Sequence, residues 1–426
     1  MRLNNIINFG AVCMLAFLSQ SCNTDENGID DYPLNYQITE VKANQNIPVG
    51  CMLVNPYGDM SDASRWERLT EERNNAEGKI GPNVTPSAGL YRIMGTNQDE
   101  QDEYALQLGR IANEMKTAGI DFIITPAVRE NANKMFPENI NAEDSLFLNL
   151  ISGRTQDLSW HNDGSTKFAI QINIQNLAAS IGCSSYSSTL ETRPDHTYNV
   201  DGETVTISQW ERIMSYMKNL AKYFNDNTYY KNDEGRPVVI FRQPDQFFCE
   251  NIETLYDDIR KAMKDVSGMD PYIIATQPEW SYASRFTYLV LNGKPDAIMP
   301  RNMANLRNDV YERLYIWDVA TNENYKLNRE YLQKNHPSID FVPSVSNGYS
   351  FYVRDGRYDY PDMMPSADDL KKRCWIAKMN LGRLPMVIID AYNDWGYGSF
   401  IEPTDPNVGN GVGDEYLKII KSEFKL

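Results

Sequence analysis

From Ile47 onward, short apolar runs rich in Val and Ile alternate with longer stretches whose apolar residues recur every three to four positions. The first kind suits strands buried on both faces, and the second suits helices that lay one face on a sheet. The alternation predicts repeated βα units around a parallel sheet. Strand candidates fall at 48–55, 121–126, 168–174, 237–243, 272–277, 297–301, 341–346 and 386–392. Eight such runs are what a closed α/β barrel needs, so residues 47–426 are expected to form a (β/α)8 TIM barrel with long βα loops.

The intervening helices carry their own signals. Ser208 and Glu211 are spaced as a capping box, and Trp210, Ile213, Met214, Met217, Leu220, Ala221 and Phe224 then mark one face. Ala105, Leu108, Ile111, Ala112 and Met115 form a second stripe, with Gly119 placed to end that helix ahead of the run at Ile120. Gly268 precedes Tyr272 in the same way, and Gly382 follows the stripe Leu370, Cys374, Ala377 and Leu381. The segments 56–100 and 177–207 are polar and rich in Gly, Ser and Asn, and are expected to be long loops after the first and third strands. In a barrel such loops build the active face.

The first 46 residues follow a different pattern. Arg2 precedes an apolar stretch, Ile6 to Leu18, which is too short to span a bilayer and ends at Ser19, Gln20, Ser21 and Cys22. This resembles a bacterial lipobox, in which the cysteine is lipidated and becomes the first mature residue. Residues 1–21 are therefore expected to be a lipoprotein signal peptide. Residues 22–46, which include Asp25, Glu26, Asp30 and Asp31, are expected to be a flexible acidic tether. The expected location is the bacterial outer membrane, with the barrel exposed at the surface and the membrane contacted through the lipid alone.

Charge narrows the partners. Lys and Arg number 41 against 58 Asp and Glu, a formal net charge of −17, and no cationic run stands out. An acidic surface of this kind argues against nucleic acid as a ligand. The chain has three histidines, and Cys51, Cys183, Cys249 and Cys374 lie far apart with no CxxC or HExxH spacing. No metal site is expected, and the four cysteines read as small buried hydrophobes. No Gly-rich nucleotide loop is present, so no cofactor is expected.

Candidate chemistry sits where the strands of a barrel converge, at their C-terminal ends. Those ends offer Asn55, Tyr57, Asn173, Gln175, Arg242, Gln243, Asp245, Gln277, Glu279, Trp280, Arg301, Asn302, Ser346, Tyr349, Asn393, Asp394 and Trp395. Amides and carboxylates hydrogen-bond sugar hydroxyls, and ring faces cover the apolar side of a pyranose, so the inventory suits an oligo- or polysaccharide. Several of these residues can equally serve as loop caps.

The last strand and its loop, Asp390-Ala391-Tyr392-Asn393-Asp394-Trp395-Gly396-Tyr397-Gly398-Ser399-Phe400-Ile401-Glu402-Pro403, is similar to the signature Asn-Glu-Trp-x-Glu-Gly-x-x-x-Glu-Pro. That signature belongs to the glycoside hydrolase family 99 and WbsX-like group of barrel proteins. Tyr223-Phe224, Tyr229-Tyr230-Lys231 and Gly235-Arg236-Pro237-Val238 resemble a second element of the group, leading into the fourth strand. The resemblance implies a retaining, endo-acting mannosidase in which one glutamate assists a sugar 2-hydroxyl and another acts as general acid and base. These positions fall on Asp394 and Tyr397. Aspartate is one methylene shorter than glutamate. A phenol, with a pKa of about 10 in small molecules, is far from the value of roughly 6 to 7 that general acid catalysis at neutral pH demands.

Asp394 and Glu279 are therefore the expected catalytic carboxylates, with Trp280 beside Glu279 to help desolvate it. Asn393, Trp395, Tyr397, Trp280, Arg242, Asp245, Gln277, Asn173 and Tyr349 are the expected sugar contacts. Glu402 matches the Glu-Pro position, where a structural role in the loop is at least as well supported, and Asp390 lies deeper in its strand as a buried polar residue. Asp390 and Asp394 would stand roughly 13 Å apart on an extended strand, too far to act as a pair. The expectation is a glycan-processing hydrolase acting on a mannose-containing polysaccharide, with other glycan-uptake proteins as partners. The alternative is an inactive barrel that binds glycan at the surface. A structural protein without a sugar site leaves the polar strand ends unexplained.

Overall fold

A computed structural model describes residues 36–54, 63–71, 82–89, 97–183, 196–249, 251–277, 286–300, 317–357 and 362–426. All eight predicted runs are strands. In chain order they are β1 Val49–Met52, β2 Phe122–Val128, β3 Lys167–Asn173, β6 Val238–Arg242, β7 Tyr272–Gln277, β8 Ala297–Pro300, the pair β9 Asp340–Phe341 and β10 Ser344–Val345, and β11 Val387–Ile389. They form one parallel sheet in the order β10-β11-β1-β2-β3-β6-β7-β8-β9, the strand pattern of an α/β barrel.

The two ends of that order belong to a single run. Its first half pairs with β8, Phe341 opposite Ile298, and its second half pairs with β11, Ser344 opposite Ile388. Between them Val342 donates its N–H to the Ile298 carbonyl, and Pro343, which has no N–H to give, accepts from Ile388. The sheet thus curls until both its edges meet in one stretch of chain.

Side chains alternate across the sheet, and the two faces have separate cores. Met52, Phe122, Ile124, Ala169, Val238, Ile240, Ile274, Met299 and Ile388 fill the interior. Cys51, Ile123, Phe168, Ile170, Ile172, Val239, Phe241 and Ile389 face the helices. Tyr230 closes the lower interior by stacking on Phe122 with ring centroids 3.8 Å apart.

The helices follow the predicted stripes. The Gln98–Thr117 helix buries Ala105, Leu108, Ile111, Ala112 and Met115, and the Gln209–Ala221 helix begins with the Ser208–Glu211 capping box. Gly119 and Gly268 adopt φ of +73° and +75°, the left-handed conformation that ends a helix. Gly382 differs from the expectation. The preceding helix, Ala367–Met379, ends at Asn380, and Gly382 is required instead by close approach, since a Cβ there would lie 2.1 Å from the Phe341 carbonyl oxygen.

Two expected loops contain regular structure. Ala63–Thr70 is a helix within 56–100. The stretch 177–207 holds the end of the Ile174–Ser180 helix and a hairpin of β4 His196–Val200 and β5 Glu203–Ile207. The hairpin turns at Asp201 and Gly202, both at positive φ, as a two-residue Asp-Gly turn demands. Chain contacts separate Met1–Gln37 from Ile38–Leu426, so the compact unit begins before Ile47. Ile38 and Ala43 already pack against its core. The four cysteines Cys51, Cys183, Cys249 and Cys374 are buried free thiols. No described helix is long and apolar enough to cross a membrane.

Candidate functional site

The alternation that fills the barrel also decides which strand-end residues look into it. On β3, Ala169 faces the interior, so Gln171 and Asn173 do too. On β6, Val238 and Ile240 face inward and carry Arg242 to the same face, with Arg242 in register opposite Asn173. The run through β9 and β10 brings Ser344 and Ser346 inward above Val342, and Ile388 on β11 does the same for Asp390. The C-terminal end of the barrel interior is therefore polar, whereas its lower layers are apolar.

Several of these groups keep open hydrogen-bonding capacity. Gln171 Oε1 and Ser346 Oγ are buried without a partner among the described residues. Asn173 uses its side-chain oxygen to cap the following helix at the Asn176 N–H, 3.1 Å, which leaves its amide NH2 group for the mouth. Asp390 makes itself felt electrostatically. Burial pushes the Tyr325 phenol up to about 12, against the lowering effect of its bonds to Ser344, and the Asp390 charge adds to the rise. The Cys51 thiol is raised well above its ordinary value by burial first and by Asp390 second.

Beyond β11 the chain folds back as a short hairpin, β12 Asn393–Asp394 against β13 Ser399–Phe400. Asn393 is buried, and its Oδ1 accepts the Val54 N–H at 3.0 Å, tying the loop to the end of β1. Its Nδ2 is a buried donor without a partner among the described residues. Asp394 is half-buried. Tyr397 sits at the edge of a cluster of Tyr349, Phe351 and Met363. Its ring lies 5.8 Å from that of Tyr349 and 5.3 Å from the Arg354 guanidinium carbon, while Arg354 donates to the Tyr349 hydroxyl at 2.7 Å.

Three expected sugar contacts are placed elsewhere. Trp395 is 1% exposed and stacks on Phe400 at 4.0 Å, with its indole N–H donated to Glu402 at 2.8 Å. No face of that ring is open to a pyranose. Gln277 follows Thr276 on β7 and so points outward, where its amide meets Asn328 of the Trp317–Asn335 helix at 3.5 Å. Asp245 is 2% exposed in the turn after β6, accepts from the Gln246 amide at 2.8 Å, and lies close enough to Tyr256 of the helix layer to help raise its phenol after burial has done most of that work. Glu402 takes the structural role: it is fully buried and pairs with Arg110 at 2.9 Å.

Asn173, Arg242, Asn393, Asp394, Tyr349 and Tyr397 remain at the C-terminal end. Glu279, Trp280, Asn55, Tyr57, Arg301, Asn302 and Cys22 lie outside the described residues. Gln171 and the inward direction of Asp390 went unread in the sequence, although the period-2 pattern with Asn173 and Ile388 carries the signal. Arg354 had no such signal, because the short helix that carries it, Phe351–Asp355, lies outside the strand pattern. Among the described residues no cluster of His, Cys, Asp and Glu is arranged to hold a metal.

The chain matches no protein-family model and no curated protein by sequence. Solved structures do resemble it. A glycoside hydrolase-like protein aligns over 92% of this chain and 98% of its own, with a TM-score of 0.67 and 20% identity. The family 99 endo-alpha-mannosidase from Bacteroides thetaiotaomicron aligns over 88% of this chain and 96% of its own, with a TM-score of 0.53 and 13% identity. The chain thus has the fold of a glycoside hydrolase-like α/β barrel.

Proposed function

We propose that this chain is a surface lipoprotein that hydrolyses a mannose-containing polysaccharide at the C-terminal mouth of its barrel. The observation that carries the reading is the polar layer on the interior face there, Gln171, Asn173, Arg242, Ser346 and Asp390, capped by the Asn393–Asp394 hairpin. Amide and hydroxyl groups with open capacity suit a ligand made of hydroxyls. Asp394 and Glu279 are the proposed catalytic carboxylates. Incubation of the full chain with mannan and related polysaccharides, followed by assay of new reducing ends, tests it. Release that disappears in Asp394→Asn supports the assignment, and undiminished release in that variant removes Asp394 from the mechanism.

A second reading is favoured by Tyr397. Its ring lies beside Tyr349 and Arg354 at the position where the related signature has its acid, and a phenol in that place suits a barrel that holds glycan without cleaving it. Saturable polysaccharide binding with no reducing ends after long incubation is its expected outcome. In either case Cys22 is the proposed lipid attachment site, and Cys22→Ser is expected to move the protein from the membrane fraction to the soluble one.

A further inference from the structure

Resting on the carbohydrate reading above, we propose that the mouth selects an acidic sugar, with Arg242 pairing to a carboxylate or sulfate ester on one sugar unit of the glycan. Arg242 ends β6 on the interior face and is half-buried. Among the described residues no hydrogen bond or ion pair engages its guanidinium. The contrast with Arg354 and Arg68 is sharp. Arg354 is held by the Tyr349 hydroxyl and Asp355, and Arg68 by the carbonyls of Val353 and Arg354. A guanidinium taken partly out of water with nothing to pair with is an unfavourable arrangement for the free protein, and an anion in the mouth relieves it.

The surroundings define what the anion is attached to. Asn173, in register beside Arg242, has its amide NH2 free to donate to the same anion. Gln171, one inward position below Asn173, presents a buried acceptor, Oε1, at 3% exposure, which suits a sugar hydroxyl. Two adjacent donor groups and an acceptor a step deeper fit a pyranose whose charged substituent lies at the rim. A neutral sugar would satisfy the amides and leave the guanidinium as it is. The net charge of −17 opposes a polyanion, so the acidic unit is an isolated one in an otherwise neutral chain.

The test is a binding titration of the full chain with matched methyl glycosides. Mannose, glucose and galactose are compared with their uronic acids and with their 6-sulfates. At least one acidic form is expected to bind roughly ten- to a hundredfold more tightly than its neutral counterpart, and the uronate and sulfate arms distinguish the two anions. Arg242→Gln should erase that advantage. Arg242→Lys, which keeps the charge but loses the planar fork, should retain part of it and serves as the comparison if the glutamine variant does not fold. Equal affinity for acidic and neutral forms, or a preference that survives in Arg242→Gln, overturns the inference while leaving the carbohydrate reading standing. If neither the glycosides nor mannan bind, both fall together.

Discussion

Trp395 donates its indole N–H to Glu402 across a fully buried contact of 2.8 Å, and the same carboxylate reaches Arg110 at 2.9 Å. Arg110 also pairs with Glu114, which accepts the Tyr392 hydroxyl. The loop that resembles a catalytic signature is therefore locked from behind by residues of the same signature, and its last glutamate works as a fastener.

Glu402→Ala should destabilise the protein by roughly 1.5 to 3 kcal/mol, the range for a lost hydrogen bond to a charged group. The larger penalty for a broken buried pair does not apply, because Arg110 is 28% exposed and water can take up its freed charge. Glu402→Gln, which keeps an acceptor for the indole, should lose less. Urea unfolding of the three proteins measures both.

Asp394 and Tyr397 should respond differently to conservative change. Asp394→Asn is expected to lower the release of reducing ends at least a hundredfold with an unchanged circular dichroism spectrum, on the order of what loss of a general acid or base costs. Tyr397→Phe is expected to leave that rate within about twofold, since the phenol serves the ring cluster. A large loss in Tyr397→Phe would give the hydroxyl a chemical role.

Alkaline stability provides a separate check. The Tyr325 phenol is raised to about 12 in the folded protein, from about 10 when unfolded. Between these values the unfolded chain has released a proton that the folded chain retains, so stability falls as pH rises. The contribution is complete below pH 10 and is lost through pH 12, to a limit of roughly 2 to 3 kcal/mol. Tyr325→Phe should make that part of the curve shallower in denaturant titrations at stepped pH, with the other buried tyrosines keeping the rest of the slope.

The thiols should be silent in the native state. Burial raises Cys51 and Cys374 far above the ordinary thiol range and Cys183 to about 12, so little thiolate exists at neutral pH. A disulfide-forming reagent at pH 8 should count none of the four described cysteines before denaturant is added and all four afterwards. Rapid labelling of any one would contradict its burial.

What the sequence made legible was set by periodicity. The eight strands stood out because buried parallel strands are nearly continuous apolar runs, and Gly119 and Gly268 stood out because left-handed caps strongly favour glycine. The division of strand seven was hidden, since its residues stay apolar through Val342 and Pro343 while their hydrogen bonds change neighbour. The β4–β5 hairpin was missed because its strands, with Thr197, Asn199, Glu203 and Thr206, bury no continuous apolar face, although Asp201-Gly202 was a valid turn signal. In the site, the motif located Asn393 and Asp394 along the chain, but the burial of Trp395 depends on Trp66 and Phe400, which no local pattern connects to it.

The divided seventh strand has a mechanical consequence. Each of its halves contributes two register pairs to the sheet, whereas β2 and β3 share five. The ring of strands is fastened by its shortest ladders, so this is where thermal opening starts. Amide deuteration should enter first at Val342 and Ile388, whose N–H groups bond to Ile298 and Pro343, and last at Ile124 and Ile172, making strand seven the clasp through which the cylinder unzips.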